Sequence, residues 1–387
     1  MSAPVYTPAE MTARLIAFDT VSHRTNLPLI DFVEDYLAAH GLRSFKAMNE
    51  AGDKAALFAT IGPTDKGGVC LSGHVDVVPV EGQDWSSSPF EARIADGRLY
   101  GRGSCDMKGF VATALALVPE WQRMPLRAPI HLAISYDEEV SCLGSLGLIE
   151  KFGHDLPKPV ACIVGEPTLM QVVDAHKSVA GYETLVTGRA AHSALPALGA
   201  NAIHAAALVV SELDRLAGVL RDRGDPSGRF TPGYSTLQVG TISGGEAINI
   251  VPALARLVWE VRGLPSLDRA EIPALVDEFC RSHVAPRLVA AAAEAGVATK
   301  EYVFVPGLAP DPGSIAEQLA LRLAGRNHTE TVSYGTEAGH FQSAGVPTVV
   351  CGPGSIEQAH RADEFIALAQ LEACTDFLRK LANNLCQ

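Results

Sequence analysis

Between residues 69 and 164, short apolar runs alternate with a helical stretch. Val69-Cys70-Leu71, Ile130-His131-Leu132-Ala133-Ile134 and Val160-Ala161-Cys162-Ile163-Val164 are unbroken hydrophobic runs of strand length, and residues 109–122 have the length and composition of a helix. Unbroken rather than alternating hydrophobicity belongs to strands buried on both faces, as in sheets covered by helices. Upstream, Thr7-Pro8-Ala9-Glu10 has the form of a capping box with proline at the first helical position, and a second helix is expected over 29–39, stopped by Gly41. The rhythm changes near Lys177: strand 180–187, helix 202–216, strands 235–242 and 256–262, helix 269–283 and strand 299–305. This β-α-β-β-α-β order is that of a ferredoxin-like sandwich. After Pro310-Asp311-Pro312-Gly313 the first rhythm resumes, with a helix over 315–323, an apolar run over 346–351 and a closing helix over 368–381. The pattern predicts an α/β domain in two segments, 1–176 and 308–387, interrupted by an inserted α+β domain over 177–307.

Composition narrows the function classes. With 387 residues, 47% hydrophobic and 19% charged, the chain is an ordinary globular protein and not a disordered one. Its 44 acidic against 31 basic residues give a formal charge of -13, which repels phosphate backbones and anionic lipid, so neither nucleic acid nor membrane is an expected partner. The first residues, Met1-Ser2-Ala3-Pro4-Val5-Tyr6, have no basic stretch leading into an apolar run, and no apolar segment approaches membrane-spanning length; a cytoplasmic location is expected. Eight scattered cysteines without a CxxC pair read as reduced thiols, with Cys70, Cys162 and Cys351 as small core residues.

The candidate chemistry lies where strands end. His74 and Asp76 follow an apolar strand; Asp106 follows in a glycine-rich turn entering a helix; Glu138 and Glu139, Glu166, and His360 follow further strands. Ligands of open α/β sheets gather at the carboxyl ends of strands, so five separate segments offer acids or imidazoles to one rim. Packed carboxylates repel one another unless a cation compensates, and mixed nitrogen and oxygen ligands suit zinc, or less selectively cobalt or manganese. Two such metals would activate a shared water and polarise a carbonyl.

The segments Ser72-Gly73-His74-Val75-Asp76-Val77-Val78-Pro79, Gly101-Arg102-Gly103-Ser104-Cys105-Asp106-Met107-Lys108-Gly109, Asp137-Glu138-Glu139 and Gly165-Glu166-Pro167-Thr168 resemble, in order and spacing, those of the two-zinc amidohydrolases, which include acetylornithine deacetylases, succinyl-diaminopimelate desuccinylases and glutamate carboxypeptidases. The resemblance implies a zinc-hydrolase catalytic domain and a dimerisation domain at 177–307, in a homodimer. It implies that His74 and Glu166 hold one metal, Glu139 and His360 the other, and that Asp106 bridges them. Asp76 would orient His74, and Glu138 would be the general base. A cis peptide is implied at Asp106-Met107. In the inserted domain, His192 would stabilise the oxyanion in the partner's site, and Asn249 and Arg262 would bind substrate.

Within this family, glutamate at position 166 goes with deacylases and carboxypeptidases rather than di- and tripeptidases. The segments 334–339 and 351–360 resemble acetylornithine deacetylases more than desuccinylases, and Glu337 could meet the side-chain ammonium of ornithine. The expected reaction is hydrolysis of a small N-acyl amino acid, N-acetylornithine first. The rivals are desuccinylation, acetylcitrulline deacetylation and acyl-glutamate hydrolysis. Two readings of another class are a cysteine hydrolase using Cys105 or Cys142, and an inactive binding protein on the same fold.

Overall fold

Thr7 opens the first helix, Pro8–Ile16, through a complete capping box: its Oγ1 accepts from Glu10 N at 3.2 Å, and Glu10 Oε2 accepts from Thr7 N at 2.8 Å. The computed structural model describes residues 3–387, so Met1 and Ser2, on which part of the N-terminal reading rests, lie outside the described residues. The chain divides into two compact units. One runs up to Ala175 and includes Leu308–Glu330 and Thr336–Gln387; the other is His176–Gly307 with Thr331–Gly335.

In the first unit, six strands of the larger sheet stand in the order Ser44–Met48, Ala55–Ile61, Ile130–Ser135, Val69–His74, Ala161–Pro167, Thr348–Gly352. The last four are mutually parallel, with Leu71 opposite Leu132 and Ile163, and Val349 opposite Ile163. The first two run antiparallel, which makes the sheet mixed. Every residue of Val69–His74, Ile130–Ser135 and Ala161–Pro167 is buried, as unbroken apolar runs require. The helices Pro8–Ile16, Leu27–Ala39, Lys108–Trp121 and Leu368–Leu385 contribute Leu15, Leu37, Leu115 and Leu378 to one core with the sheet. Parallel strands end together, so His74, Ser135, Glu166 and Gly352 reach one edge. Gly165 makes this packing possible: a Cβ there would sit 2.1 Å from the ring of Phe110 on the Lys108–Trp121 helix.

Sequence placed His74 after the first strand; it follows the third. Ser44–Met48 and Ala55–Ile61 precede it, and neither carries a pattern that separates strand from helix, the second beginning Ala55-Ala56.

The second unit is a four-stranded antiparallel sheet in the order Thr236–Gly244, Leu254–Gly263, Ser178–Thr187, Gly296–Val305, the strand order of a ferredoxin-like sandwich. Its core is built with Ala202–Arg223 and Glu271–Phe279, where Val209, Leu213 and Val276 meet Leu257 and Trp259. The first helix runs a full two turns past the expected end at 216. The second passes at Cys280–Val284 into a π-turn. Among the described residues no helix is long and apolar enough to cross a membrane.

Candidate metal centre

His74 is fully buried at the end of its strand, and its two ring nitrogens face different partners. Nδ1 lies 3.0 Å from the carbonyl oxygen of Asp76 and 3.3 Å from its Oδ1. Nε2 points into the rim, 3.1 Å from Asp106 Oδ1, 3.6 Å from Glu166 Oε1 and 4.0 Å from Glu138 Oε2. Asp106 turns its other oxygen, Oδ2, to His360 Nε2 at 3.4 Å, and the same nitrogen is 2.9 Å from Glu139 Oε2. One carboxylate thus stands between two imidazoles, one oxygen to each. The peptide bond Asp106-Met107 is cis.

Asp76 organises two segments at once. Its Oδ2 accepts from Ser22 Oγ at 2.8 Å, while the backbone N–H groups of Glu138 and Glu139 donate to its Oδ1 and Oδ2 at 3.2 and 3.3 Å. The acid that orients His74 therefore also fixes the turn carrying both glutamates. Glu138 Oε1 accepts from the thiol of Cys142 at 3.2 Å.

The electrostatics are those of a site suited to cations. Burial, with Glu139, Asp106 and Asp76 close by, pushes Glu138 up to about 8 despite His74. Burial and Asp106 push Glu139 up to about 7. Glu166 is raised well above the carboxylate range by burial and by Asp106 and Glu138. Asp106 goes the other way: although buried, it is held far below the usual range by hydrogen bonds from His360 and His74. The bonds to Asp106 and Glu139 raise His360 to about 10, and those to Asp106 and Asp76 raise His74 against its burial.

The donors fit divalent metal. Ligand atoms of His74, Asp106 and Glu139 lie within 4.8 Å of one another, as do those of His74, Glu138 and Glu166. Glu166 Oε1 is buried with no hydrogen-bond partner, a cost that a cation would remove. Two imidazoles and carboxylate oxygens without thiolate are the ligand types of zinc and its first-row neighbours.

Glu337 lies elsewhere than expected. It is 1% exposed, and its two oxygens accept from Ser72 Oγ and Ser135 Oγ, both at 2.6 Å, so it ties adjacent strands together behind the rim. In the second unit, His192 is exposed, with Nδ1 accepting from Ala194 N at 3.0 Å. Asn249 is exposed and accepts through its carbonyl from Ser193 N, and Arg262 pairs with Glu260 at 3.2 Å. Cys105 and Cys142 are buried, and burial beside Glu364 and Glu138 respectively pushes both thiols up, the reverse of what a nucleophile needs. Sequence reasoning missed Ser22, Ser72, Ser135 and Glu364. Of these only Glu364, four residues after His360, carried a positional signal.

A mixed α/β sheet whose parallel strands deliver two histidines and clustered carboxylates to one edge defines a dinuclear metallohydrolase. The chain belongs to peptidase family M20/M25/M40, whose model matches residues 70–384. It is 32% identical to an acetylornithine deacetylase of Pasteurella multocida (strain Pm70), over 97% of each chain, and 35% identical to one of Myxococcus xanthus, over 96% of each. Among solved structures it shares its fold with the M20 family metallo-carboxypeptidase Sso-CP2 of Sulfolobus solfataricus (TM-score 0.74, 18% identity, 99% of this chain and 100% of that one). It likewise resembles the Bacillus subtilis YXEP protein, described as a dinuclear metal binding peptidase (TM-score 0.65, 16% identity, 97% and 96%). The protein is a metal-dependent amidohydrolase.

Proposed function

We propose that the protein hydrolyses N-acetylornithine to ornithine and acetate, in cytoplasmic arginine biosynthesis. End-to-end similarity to acetylornithine deacetylases at 32–35% identity carries the choice of substrate. In this reading His74 and Glu166 hold one metal, Glu139 and His360 the other, and Asp106 spans both. Two zinc ions, or cobalt in their place, would make a shared water acidic and polarise the scissile carbonyl.

The chain's own groups do the rest. Glu138 takes the proton of the attacking water and returns it to the departing amine. Burial among acids raises Glu138 to about 8, and two bound cations beside it would bring it down into the range of a group that accepts and releases a proton near neutrality. Asp76 holds His74 in one tautomer, its carbonyl and carboxylate oxygens accepting from His74 Nδ1–H. Asn249 and Arg262 bind substrate. Because Glu337 is 1% exposed and each of its oxygens is bound to a serine of a central strand, it serves this reading as a brace between strands and not as a partner for the ornithine ammonium.

We further infer a homodimer in which His192 stabilises the oxyanion in its partner's site. Supporting this, Thr236–Gly244 is an edge strand without a single charged residue, and residues 240–244 are exposed along it, an unprotected edge of the kind a second copy covers.

The test is amine release from N-acetylornithine, N-acetylcitrulline, N-succinyl-diaminopimelate and an acyl-glutamate, with and without added zinc or cobalt. Metal-dependent selectivity for acetylornithine is expected, and Glu138→Ala should retain its metal while losing about 10²- to 10⁴-fold in kcat. If another acyl compound wins, the substrate assignment falls. If Glu138→Ala stays active, the mechanism falls.

A further inference from the structure

The strand after His360 and the strand before Asp106 are neighbours. Phe365–Ala367 pairs antiparallel with Arg98–Tyr100, Phe365 opposite Tyr100, so the loops carrying the two metal-facing residues emerge side by side from one small sheet. Glu364 sits at that junction, 1% exposed. Its Oε1 accepts from the backbone N–H of Cys105 at 2.9 Å and of Asp106 at 3.1 Å. Its Oε2 accepts from Gly103 N at 3.0 Å and from Arg102 Nη1 at 2.7 Å. Its own carbonyl accepts from Gly101 N at 2.9 Å. A carboxylate offers about four acceptor positions, and here all of them are spent on one loop.

Arg102, also 1% exposed, carries the link onward. Its Nη2 donates to Gln83 Oε1 at 2.6 Å, and Gln83 Nε2 donates to the carbonyl oxygen of His360 at 3.1 Å. A closed chain of hydrogen bonds therefore runs from the backbone of Asp106 through Glu364, Arg102 and Gln83 to the backbone of His360. Burying such an ion pair adds little net stability, so its yield is sought in geometry.

We propose that Glu364, Arg102 and Gln83 form a positioning device that fixes the separation of Asp106 from His360, and thereby sets the affinity of the metal position these two share with Glu139. The proposal rests on the two-metal reading above. The other position shares Asp106 but takes its remaining ligands, His74 and Glu166, from the strands Val69–His74 and Ala161–Pro167, which receive none of these bonds, so it is expected to be affected far less.

Full-length wild type, Glu364→Gln and Gln83→Ala, stripped by a chelator, are titrated with zinc by calorimetry and with cobalt by visible absorption, with the metal-free melting temperature recorded alongside. Glutamine at 364 keeps the shape but turns one acceptor into a donor facing N–H groups. Gln83→Ala leaves the buried pair intact and removes its link to His360, together with the bond that Gln83 Oε1 accepts from Trp85 Nε1 at 3.1 Å. Wild type should bind two metals. In Glu364→Gln one metal should lose about 10- to 100-fold in affinity and the other about threefold at most. Gln83→Ala should show the same selective loss, smaller, with its metal-free melting temperature unchanged, and it decides the matter if Glu364→Gln does not fold. Equal weakening of both positions in Gln83→Ala, or both affinities unchanged to about twofold in the folded variants, overturns the proposal while leaving the two-metal reading intact. A wild type that takes up only one metal overturns both.

Discussion

Asp106 uses its two oxygens on two histidines, which is why it is held below its normal pKa while Glu138 and Glu166 beside it are pushed above theirs. Asp106→Asn keeps the volume but supplies only one acceptor atom and no charge. It should lose one or both metals on gel filtration, read by elemental analysis, and with them more than about 10³-fold in activity, whereas Glu166→Ala should shed only one metal. Two retained metals in Asp106→Asn would refute the bridging role. The residues that gather at the rim were legible because each follows a strand, and a strand end is a position that sequence shows. What sequence could not show is where an acid's oxygens point. Glu337 reads as available to a cation, yet it meets Ser72 and Ser135, 265 and 202 positions away. Glu364 drew no reading from sequence, and its four partners lie about as far off in the chain. Hydrogen bonds closed over such distances leave no local pattern.

Elements set what those residues can reach. Four parallel strands share one edge because each is buried on both faces by helices, and apolar runs announced all four. Ser44–Met48 and Ala55–Ile61 went unread because a half-buried strand and an alanine-led one carry no decisive period. Close packing imposes its own demand: Gly165→Ala would drive a methyl into the Phe110 ring one residue before Glu166, costing about 1–3 kcal/mol, visible as a lower denaturation midpoint. A midpoint equal to wild type would show that the Lys108–Trp121 helix can yield. At the opposite extreme stands the uncharged edge strand Thr236–Gly244. Ile242, 56% exposed on it, should tolerate lysine in a folded monomer but not in a paired edge. Ile242→Lys should therefore sediment as a monomer, keep both metals and lose most activity, since His192 would have no partner site to serve. Full activity in that monomer would remove His192 from the mechanism.

Over the whole molecule, the rim stores protons that the unfolded chain would release. Glu138 and Glu139 hold theirs up to about 8 and 7, and Glu166 higher than any unfolded glutamate; His360 keeps its proton to about 10 and His74 well past 6.5. Each raised acid and each raised histidine makes the folded state bind more protons than the unfolded one. Stability from them is full at low pH and drains as pH climbs through the folded values. Other buried groups pull the opposite way in their own windows. His131 and His340, lowered to about 4 by burial, add stability as pH rises, but only until the unfolded histidine has titrated near 6.5. Lys108, lowered to about 7 by burial, opposes from there upward as a single group. Asp76 and Asp106, lowered by their histidines, act below about pH 4. Between pH 6.5 and 8 the rim prevails, so the metal-free protein should melt at progressively lower temperature. Metal competes for the same sites as those protons, so its affinity, and the stability it adds by mass action, should grow over the same interval. Melting curves in chelator and in excess zinc should diverge from pH 6.5 to 8, and calorimetry in buffers of different ionisation enthalpy should find protons released per metal bound, fewer as pH rises. A metal-free melting temperature that is flat or rising across that interval would mean that the rim carboxylates are already ionised and that the cluster is held together by something other than its protons and its metals.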